Sequence, residues 1–176
     1  MGILSLLAVA ALLAPPSRRP DAQASEVELK AAWVYNFVQH VEWPASAFKD
    51  ERSPLVVCIL GAHPLEEALA KAVRGKTAQG RGVEIRRAAQ PADLKGAHLA
   101  FIPDAEKERF DQAVAAARGT PLLVVGESDG AARKGAVLNF FVDESRVRFE
   151  ANVEAAARSG LTISSKLLKF ARLVKD

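Results

Sequence analysis

Three short apolar runs, rich in branched side chains, constrain the fold of this chain most strongly. They are PLVVCIL (54–60), HLAFIP (98–103) and PLLVV (121–125). Runs of this kind, without polar alternation, are typical of strands that are covered on both faces. Helices are predicted between them, over residues 64–73 and 105–118. Strands that alternate with helices predict an α/β domain with a parallel sheet.

The pattern changes after Gly135, where two adjacent strands are predicted over 136–142 and 146–152, joined as a hairpin. In the second strand, apolar and polar side chains alternate. The polar ones are expected to face solvent: Arg146, Arg148, Glu150 and Asn152. A last helix is predicted over 163–174. The expected architecture is a three-layer α/β sandwich. Its mixed sheet has a parallel centre and the C-terminal hairpin at one edge, with helices on both faces.

The beginning of the chain predicts export. Residues 3–14 are almost wholly apolar, which suits the core of a signal peptide and is too short to span a bilayer. Ala22-Gln23-Ala24 supplies small residues before a predicted cleavage at Ser25. We therefore expect a signal peptide over 1–24 and a single domain over 25–176, located in the periplasm and not itself membrane-spanning.

Charge and cysteine content narrow the classes of function. The net charge is +3, and the positive residues are scattered among acids, which predicts no binding of nucleic acid or of an anionic membrane surface. The single cysteine, Cys58, lies within an apolar run and is predicted to be a buried structural residue. An internal disulfide is excluded because no second cysteine exists.

One motif points to an enzyme. Gly126-Glu127-Ser128-Asp129-Gly130 matches the G-x-S-x-G turn of serine hydrolases and follows a predicted buried strand. However, too few residues follow Ser128 before Gly135 to form the helix that this turn requires. The histidines also precede the serine instead of following it, and they lack metal-ligand spacing: His40, His63 and His98. A polar turn is the favoured interpretation, with no enzyme activity, cofactor or metal expected.

Two segments are weaker candidates for an anionic ligand. The loop GKTAQGRG (75–82) offers Lys76 and Arg81, although it lacks the spacing of a phosphate-binding loop and a plain connection is favoured. The second candidate is the start of the last predicted helix, where backbone N–H groups favour anions: Ser164, Ser165 and Lys166. These residues are equally explained as simple helix caps.

The chain resembles the YfiR family, whose members are also called YfiR-like or HmsC-like domains. The resemblance covers residues 27–174 and rests on five segments in order: KAAWVYNFVQHVEWP (30–44), LVVCILGAHPL (55–65), GKTAQGRGVEIR (75–86), LNFFVDESRVRFEANVEAA (138–156) and SGLTISSKLLKFARLV (159–174). It implies a periplasmic, non-enzymatic protein that binds a membrane-bound diguanylate cyclase and represses it, so that cyclic di-GMP output and biofilm formation fall. An outer-membrane lipoprotein titrates the repressor away in such systems. Some members contain stabilising disulfides, and this chain departs from them.

The family motif places the expected partner contact on the last predicted strand and the strand beside it: Leu138, Phe140, Arg148, Glu150 and Asn152. The alternative is that the charged residues only solvate a sheet face. A homodimer is also expected.

Two other functions stay open at this point. One is a periplasmic small-molecule sensor that serves a kinase or transporter, with its ligand near Lys76, Arg81 and Ser164. The other is a hydrolase that uses Ser128.

Overall fold

The computed structural model describes residues 20–175, with side chains from residue 26 onward. The predicted signal peptide lies outside the described residues except for its last five, which begin helix α1 (Pro20–His40). Export and cleavage at Ser25 therefore stay predictions. Within the described part of the chain, each helix is too short or too polar to cross a lipid bilayer.

The elements follow one another as the alternating apolar runs predict. After α1, the helices are α2 (Leu65–Val73), α3 (Phe110–Ala117), α4 (Val153–Arg158) and α5 (Ser165–Leu168). The strands are β1 (Val41–Glu42), β2 (Leu55–Leu60), β3 (Thr77–Ala78), β4 (Arg81–Ala88), β5 (Leu99–Ile102), β6 (Leu123–Gly126), β7 (Leu138–Asp143), β8 (Arg146–Asn152), β9 (Thr162–Ile163) and β10 (Ala171–Val174). Short 3₁₀ turns lie at Ala45–Ala47, Pro91–Leu94, Asp104–Arg109 and Ala131–Lys134.

The main sheet has eight strands in the order β10-β8-β7-β6-β5-β2-β4-β3. Strands β4, β2, β5, β6 and β7 run parallel to one another, β3 pairs antiparallel with β4, and β7 and β8 form the antiparallel hairpin. Strands β1 and β9 pair separately. The predicted mixed sheet with a parallel centre is confirmed.

Both faces of this sheet are covered. Successive side chains of a strand point to opposite faces. In β2, Ile59 belongs to a core shared with α1 and α2, whereas Cys58 belongs to a second core shared with α3. Phe37 of α1 contacts Phe140 of β7 in the first core, with ring centroids 5.4 Å apart. The predicted three-layer sandwich with helices on both faces is confirmed.

The prediction of a helix over 163–174 is wrong in its second half. Only Ser165–Leu168 is helical, and Ala171–Val174 forms strand β10, parallel to β8. Pairing with β8 satisfies backbone groups along that strand, and tertiary contacts of this kind outweigh local helix propensity in a four-residue segment. As a consequence β10 occupies the sheet edge, and the hairpin lies one strand further in.

Candidate functional site

The C-terminal edge of the sheet is the surface that most resembles a binding site for another protein. β10 pairs with β8 on one side, and among the described residues no strand pairs with its other side. An unpaired strand edge presents backbone donors and acceptors that another chain can use.

A buried carboxylate holds this edge strand in place. Glu150 of β8 is 2% exposed, and one of its oxygens lies 2.5 Å from Nη2 of Arg172 on β10. Its other oxygen accepts a hydrogen bond from Nδ2 of Asn139 at 3.2 Å. Asn139 also donates to the backbone oxygen of Ser128, 3.0 Å away. The carboxylate therefore connects β10, β8 and β7 to the loop that follows β6.

Arg172 also packs on an aromatic ring. Its guanidinium carbon lies 4.0 Å from the centroid of Phe141 on β7, in cation–π geometry. Arg148 lies on the same sheet face as Phe141 and forms an exposed ion pair with Asp143 at 3.3 Å. This face of the edge thus presents two arginines, one fixed by a buried partner and one held loosely at the surface.

The prediction that the polar side chains of β8 face solvent is wrong at two positions, because Glu150 and Asn152 are both buried. Arg172 and Asn139 cover Glu150, and Asn152 lies under the turn Ala131–Lys134, where its Nδ2 donates to the oxygen of Ala132 at 2.9 Å. The Oδ1 of Asn152 accepts from the backbone N–H of Ala155, so this residue caps α4.

Leu138 and Phe140, which were also expected to touch a partner, lie fully in the core. Of the five predicted contact residues, Arg148 alone is exposed in the described structure. Strand β8 has the bounds predicted for it, and of its four predicted solvent-facing residues Arg146 and Arg148 are exposed.

Exposed apolar side chains border the other face of the edge strand. Phe170 is 68% exposed and Leu173 is 61% exposed. The ring of Phe170 lies 5.8 Å from that of Trp33 on α1, and Leu29, also exposed, precedes Trp33 by one helical turn. We call Leu29, Trp33, Arg148, Phe170, Arg172 and Leu173, together with the free edge of β10, the C-terminal edge surface.

Sequence reasoning missed most of this surface because the segment was assigned to a helix. The segment Ala-Arg-Leu-Val (171–174) contains one polar residue, and its pattern is too short to indicate a strand by itself. In a strand, Arg172 and Leu173 face opposite sides of the sheet, which gives the edge one charged and one apolar face.

A second polar cluster lies at the carboxyl ends of the parallel strands, where α/β proteins commonly bind ligands. Glu127, directly after β6, receives a hydrogen bond from Nζ of Lys30 at 2.7 Å and one from the backbone N–H of Asp104 at 3.0 Å. Lys30 also donates to Glu26 at 2.9 Å. Burial is the largest single effect and lowers the pKa of Lys30, but the hydrogen bonds to Glu127 and Glu26 and the negative charges of both together outweigh it, so that the pKa is raised.

His63 completes this cluster. Its Nδ1 accepts from the backbone N–H of Leu65 at 3.1 Å, and its Nε2 faces Glu127 at 3.6 Å. Burial lowers the pKa of His63 more than the Glu127 carboxylate raises it, and Lys30 lowers it further. The cluster fastens α1 to the sheet, and its described groups are satisfied by one another.

Ser128, the serine of the G-x-S-x-G match, belongs to the same end of the sheet. Its hydroxyl donates to Oδ1 of Asp104 at 2.8 Å. A short 3₁₀ turn, Ala131–Lys134, follows it instead of a helix. Among the described contacts, His63 faces Glu127 and not this hydroxyl, so the geometry gives Ser128 no histidine base.

The predicted ligand loop does not gather its two cations around a common site. Lys76 lies over the ring of Tyr35 on α1, with Nζ 5.1 Å from the centroid. Arg81 stacks on Phe48 and donates to the backbone oxygens of Asp50 and Ser53, each at 2.8 Å. The guanidinium therefore holds the loop that precedes β2.

At the second candidate anion site, the start of α5, the Ser164 hydroxyl makes an ordinary helix-capping contact. The hydroxyl of Ser164 accepts from the backbone N–H of Leu167 at 3.4 Å. Ser165 and Lys166 begin α5, which is only four residues long. Ser164 bonds through its N–H to the oxygen of His40 and is thus tied to the end of α1. Lys76, Arg81 and these three residues contact different parts of the fold.

Two further buried groups act within the fold. His98 accepts from the backbone N–H of Val56 at Nδ1, 3.0 Å away, and its Nε2 lies 3.0 Å from the oxygen of Ala47. Burial lowers the pKa of His98 most strongly, with smaller effects of nearby arginines in the same direction. Cys58 is buried in the core, and burial raises the pKa of its thiol. Among the described residues, no group of three or more His, Cys, Asp or Glu side chains is arranged to hold a metal ion.

Comparisons with known proteins agree with this architecture. A family model described as YfiR/HmsC-like matches residues 27–172. The comparison with curated proteins found no match. Among solved structures, the crystal structure of a conserved domain protein from Vibrio cholerae O1 biovar El Tor strain N16961 aligns with a TM-score of 0.57 at 13% identity. The alignment covers 85% of this chain and 60% of that chain, and at such low identity the likeness supports the α/β fold alone.

Proposed function

The chain belongs to the YfiR/HmsC-like family, and from that membership we propose that it is a periplasmic protein that binds and represses a membrane-bound diguanylate cyclase. Its activity would lower cyclic di-GMP signalling and biofilm formation. The family is one of regulatory domains and not one of known enzymes, so we propose that the chain acts by contact and not by catalysis.

The observation that best supports a contact mechanism is the C-terminal edge surface. Phe170 and Leu173 are both more than half exposed, and Phe170 adjoins the ring of Trp33, so the exposed apolar side chains are grouped at this edge; a grouped exposed apolar patch is typical of an interaction site. They adjoin the unpaired edge of β10. A partner that adds backbone to this edge would gain main-chain hydrogen bonds, and the apolar side chains beside it would supply specificity.

The residues predicted to bind the partner then take different roles. We propose that Arg148 contacts the partner directly and that Glu150 acts indirectly, by holding Arg172 and therefore β10 in position. Leu138 and Phe140 would support the hairpin from the core, and Asn152 would do so by capping α4. In this account a substitution at Glu150 weakens binding because it loosens the edge strand.

The other expected partners would bind the same C-terminal edge surface. A homodimer formed through two β10 edges would cover Leu173 and would compete with the cyclase for it. An outer-membrane lipoprotein that removes the repressor would act by covering any part of the same surface. We propose both as secondary partners.

The functional test is genetic and needs no assumption about the surface. Deletion of the gene for this chain in its native host should raise the cellular level of cyclic di-GMP and increase biofilm, and expression of the full chain should reverse both. An unchanged level after deletion would contradict repression of a cyclase.

A further inference from the structure

A basic cleft lies on the opposite side of the sheet from α1, away from the C-terminal edge surface. It has a volume of about 780 Å³ and opens between α3, the turn Ala131–Lys134 and α4. Its floor is apolar and is formed by Val114, Ala117, Val124 and Ala155. Its rim carries four basic residues: Arg118, Arg133, Lys134 and Arg158.

The rim is a concentration of positive charge that the linear sequence does not reveal. Its residues come from three separate segments, which is why the chain was expected to lack a basic patch. Among the residues that line the cleft there is no Asp or Glu. Within the described part of the chain, the side chains of Arg118, Arg133 and Lys134 form no ion pair or hydrogen bond, whereas Arg158 is engaged in another interaction.

The helix ends explain why a basic residue is favoured at each position, but not why the basic residues of three segments lie around one cleft. Arg118 follows the last residue of α3, and Arg158 is the last residue of α4, where a cation interacts favourably with the helix dipole. That effect accounts for each arginine separately. Arg133 and Lys134 lie in the last turn of the short helix Ala131–Lys134 and are favoured in the same way, but an effect that acts on each element alone does not explain why all four cations meet at one cleft.

The floor of the cleft depends on a glycine. Gly135 has a φ of 109°, and a Cβ at this position would lie 2.9 Å from Cγ1 of Val114. A larger side chain would therefore displace the floor and fill this corner of the cleft. Gly135 leaves an apolar base directly beneath the cationic rim.

Neighbouring acids define where an anion would lie. Lys134 also borders a separate cleft that contains Asp104, Glu108, Asp111 and Asp129. These carboxylates repel an anion on that side of Lys134. The favourable position is therefore toward Arg118, Arg133 and Arg158.

We propose that this cleft binds a phosphate-bearing ligand, with the phosphate on the arginine rim and a less polar part on the Val114 and Val124 floor. Arginine recognises phosphate through paired N–H donors, and the volume is that of a small-molecule site. The phosphate would come either from a free phosphorylated molecule or from the headgroup of an anionic phospholipid. The proposal does not depend on repression of a cyclase.

The test uses the full chain with two probes. Inorganic pyrophosphate is titrated by calorimetry, and flotation is measured with vesicles of phosphatidylglycerol and phosphatidylcholine against vesicles of phosphatidylcholine alone. The test variant is Arg118→Glu with Arg133→Glu. The control is Lys49→Glu with Arg74→Glu, which makes the same change of net charge at exposed positions outside the cleft.

We expect the wild type and the control to bind pyrophosphate, and the cleft variant to bind at least about tenfold more weakly. Vesicle binding that requires phosphatidylglycerol and is lost in the cleft variant would identify a lipid headgroup as the source. Pyrophosphate binding without vesicle binding would identify a free phosphorylated molecule. If neither probe binds, or if the cleft and control variants bind equally well, the proposal is overturned.

Discussion

Arg172 and Glu150 lie opposite each other on the neighbouring parallel strands β10 and β8, and their side chains form an ion pair in which the carboxylate is buried and the guanidinium is half-exposed. The pair joins the last strand to the rest of the sheet. Because the carboxylate is buried, loss of the arginine leaves it with one side-chain donor among the described residues, Asn139.

Replacement of this arginine should release the edge strand. Arg172→Ala is expected to lower the free energy of unfolding by about 2 kcal/mol, since the buried carboxylate loses its charged partner but the arginine is partly screened by water. Amide hydrogen exchange over Ala171–Val174 should accelerate more than exchange elsewhere. The matched control is Arg148→Ala, which breaks only an exposed pair with Asp143 and should cost less than about 0.5 kcal/mol. Equal losses in the two variants would show that the buried carboxylate does not hold the strand.

Breaking the buried Lys30–Glu127 ion pair should lower the free energy of unfolding far more than breaking a surface ion pair of the same residue types. Glu127→Gln leaves the buried Lys30 ammonium without its closest carboxylate, and we expect a loss of about 3 kcal/mol by chemical denaturation. Glu67→Gln breaks the exposed Lys71 pair, which water screens, and is expected to leave stability almost unchanged. A small effect of Glu127→Gln would mean that water or Glu26 compensates the ammonium fully.

Stability should fall in mildly acidic solution because of two histidines. Burial lowers the pKa of His63 and of His98 in the folded state. The unfolded chain therefore binds more protons just below the ordinary histidine pKa of about 6.5. The stabilising contribution is fully present above that value and is lost as the pH falls through the lowered folded pKa. Unfolding measured at steps from pH 7.5 to pH 5 should show this decline, and His63→Gln with His98→Gln should flatten it. A decline of unchanged steepness in that variant would assign it to other groups.

The thiol of Cys58 should be inert in the folded protein. It is buried in the core beneath α3, and burial raises its pKa, so that the reactive thiolate is scarce at neutral pH. Labelling by iodoacetamide at pH 7.5 should proceed only through unfolding and should accelerate steeply in denaturant. Rapid labelling without denaturant would contradict the described position of this side chain.

The parts of the fold that the sequence predicted correctly are those whose residues carry a strong local pattern. The runs around Ile59, Phe101 and Val124 are apolar on both faces, so their burial in a parallel sheet follows from composition alone. The segment 171–174 was misassigned because a four-residue edge strand carries too little periodicity to be distinguished from the end of a helix, and its structure depends on pairing with β8.

The candidate surfaces were harder to predict for a related reason. The alternation in β8 correctly placed Glu150 and Asn152 on one sheet face. It could not predict that Arg172 and the turn at 131–134 cover that face. The basic cleft assembles Arg118, Arg133 and Arg158 from distant segments, which only the three-dimensional fold brings to one cleft.

The central claim is that the C-terminal edge surface binds a membrane-bound diguanylate cyclase, and a pull-down of solubilised inner-membrane proteins by the full chain tests it most directly. The wild type should recover a diguanylate cyclase. Leu173→Asp should lose it, because a charge is placed among the exposed apolar side chains. Ala70→Asp, which introduces the same charge on the exposed face of α2, should retain it. Melting temperatures close to that of the wild type would show that both variants are folded. Recovery of no cyclase by the wild type would contradict the function, and equal recovery by Leu173→Asp would contradict the surface.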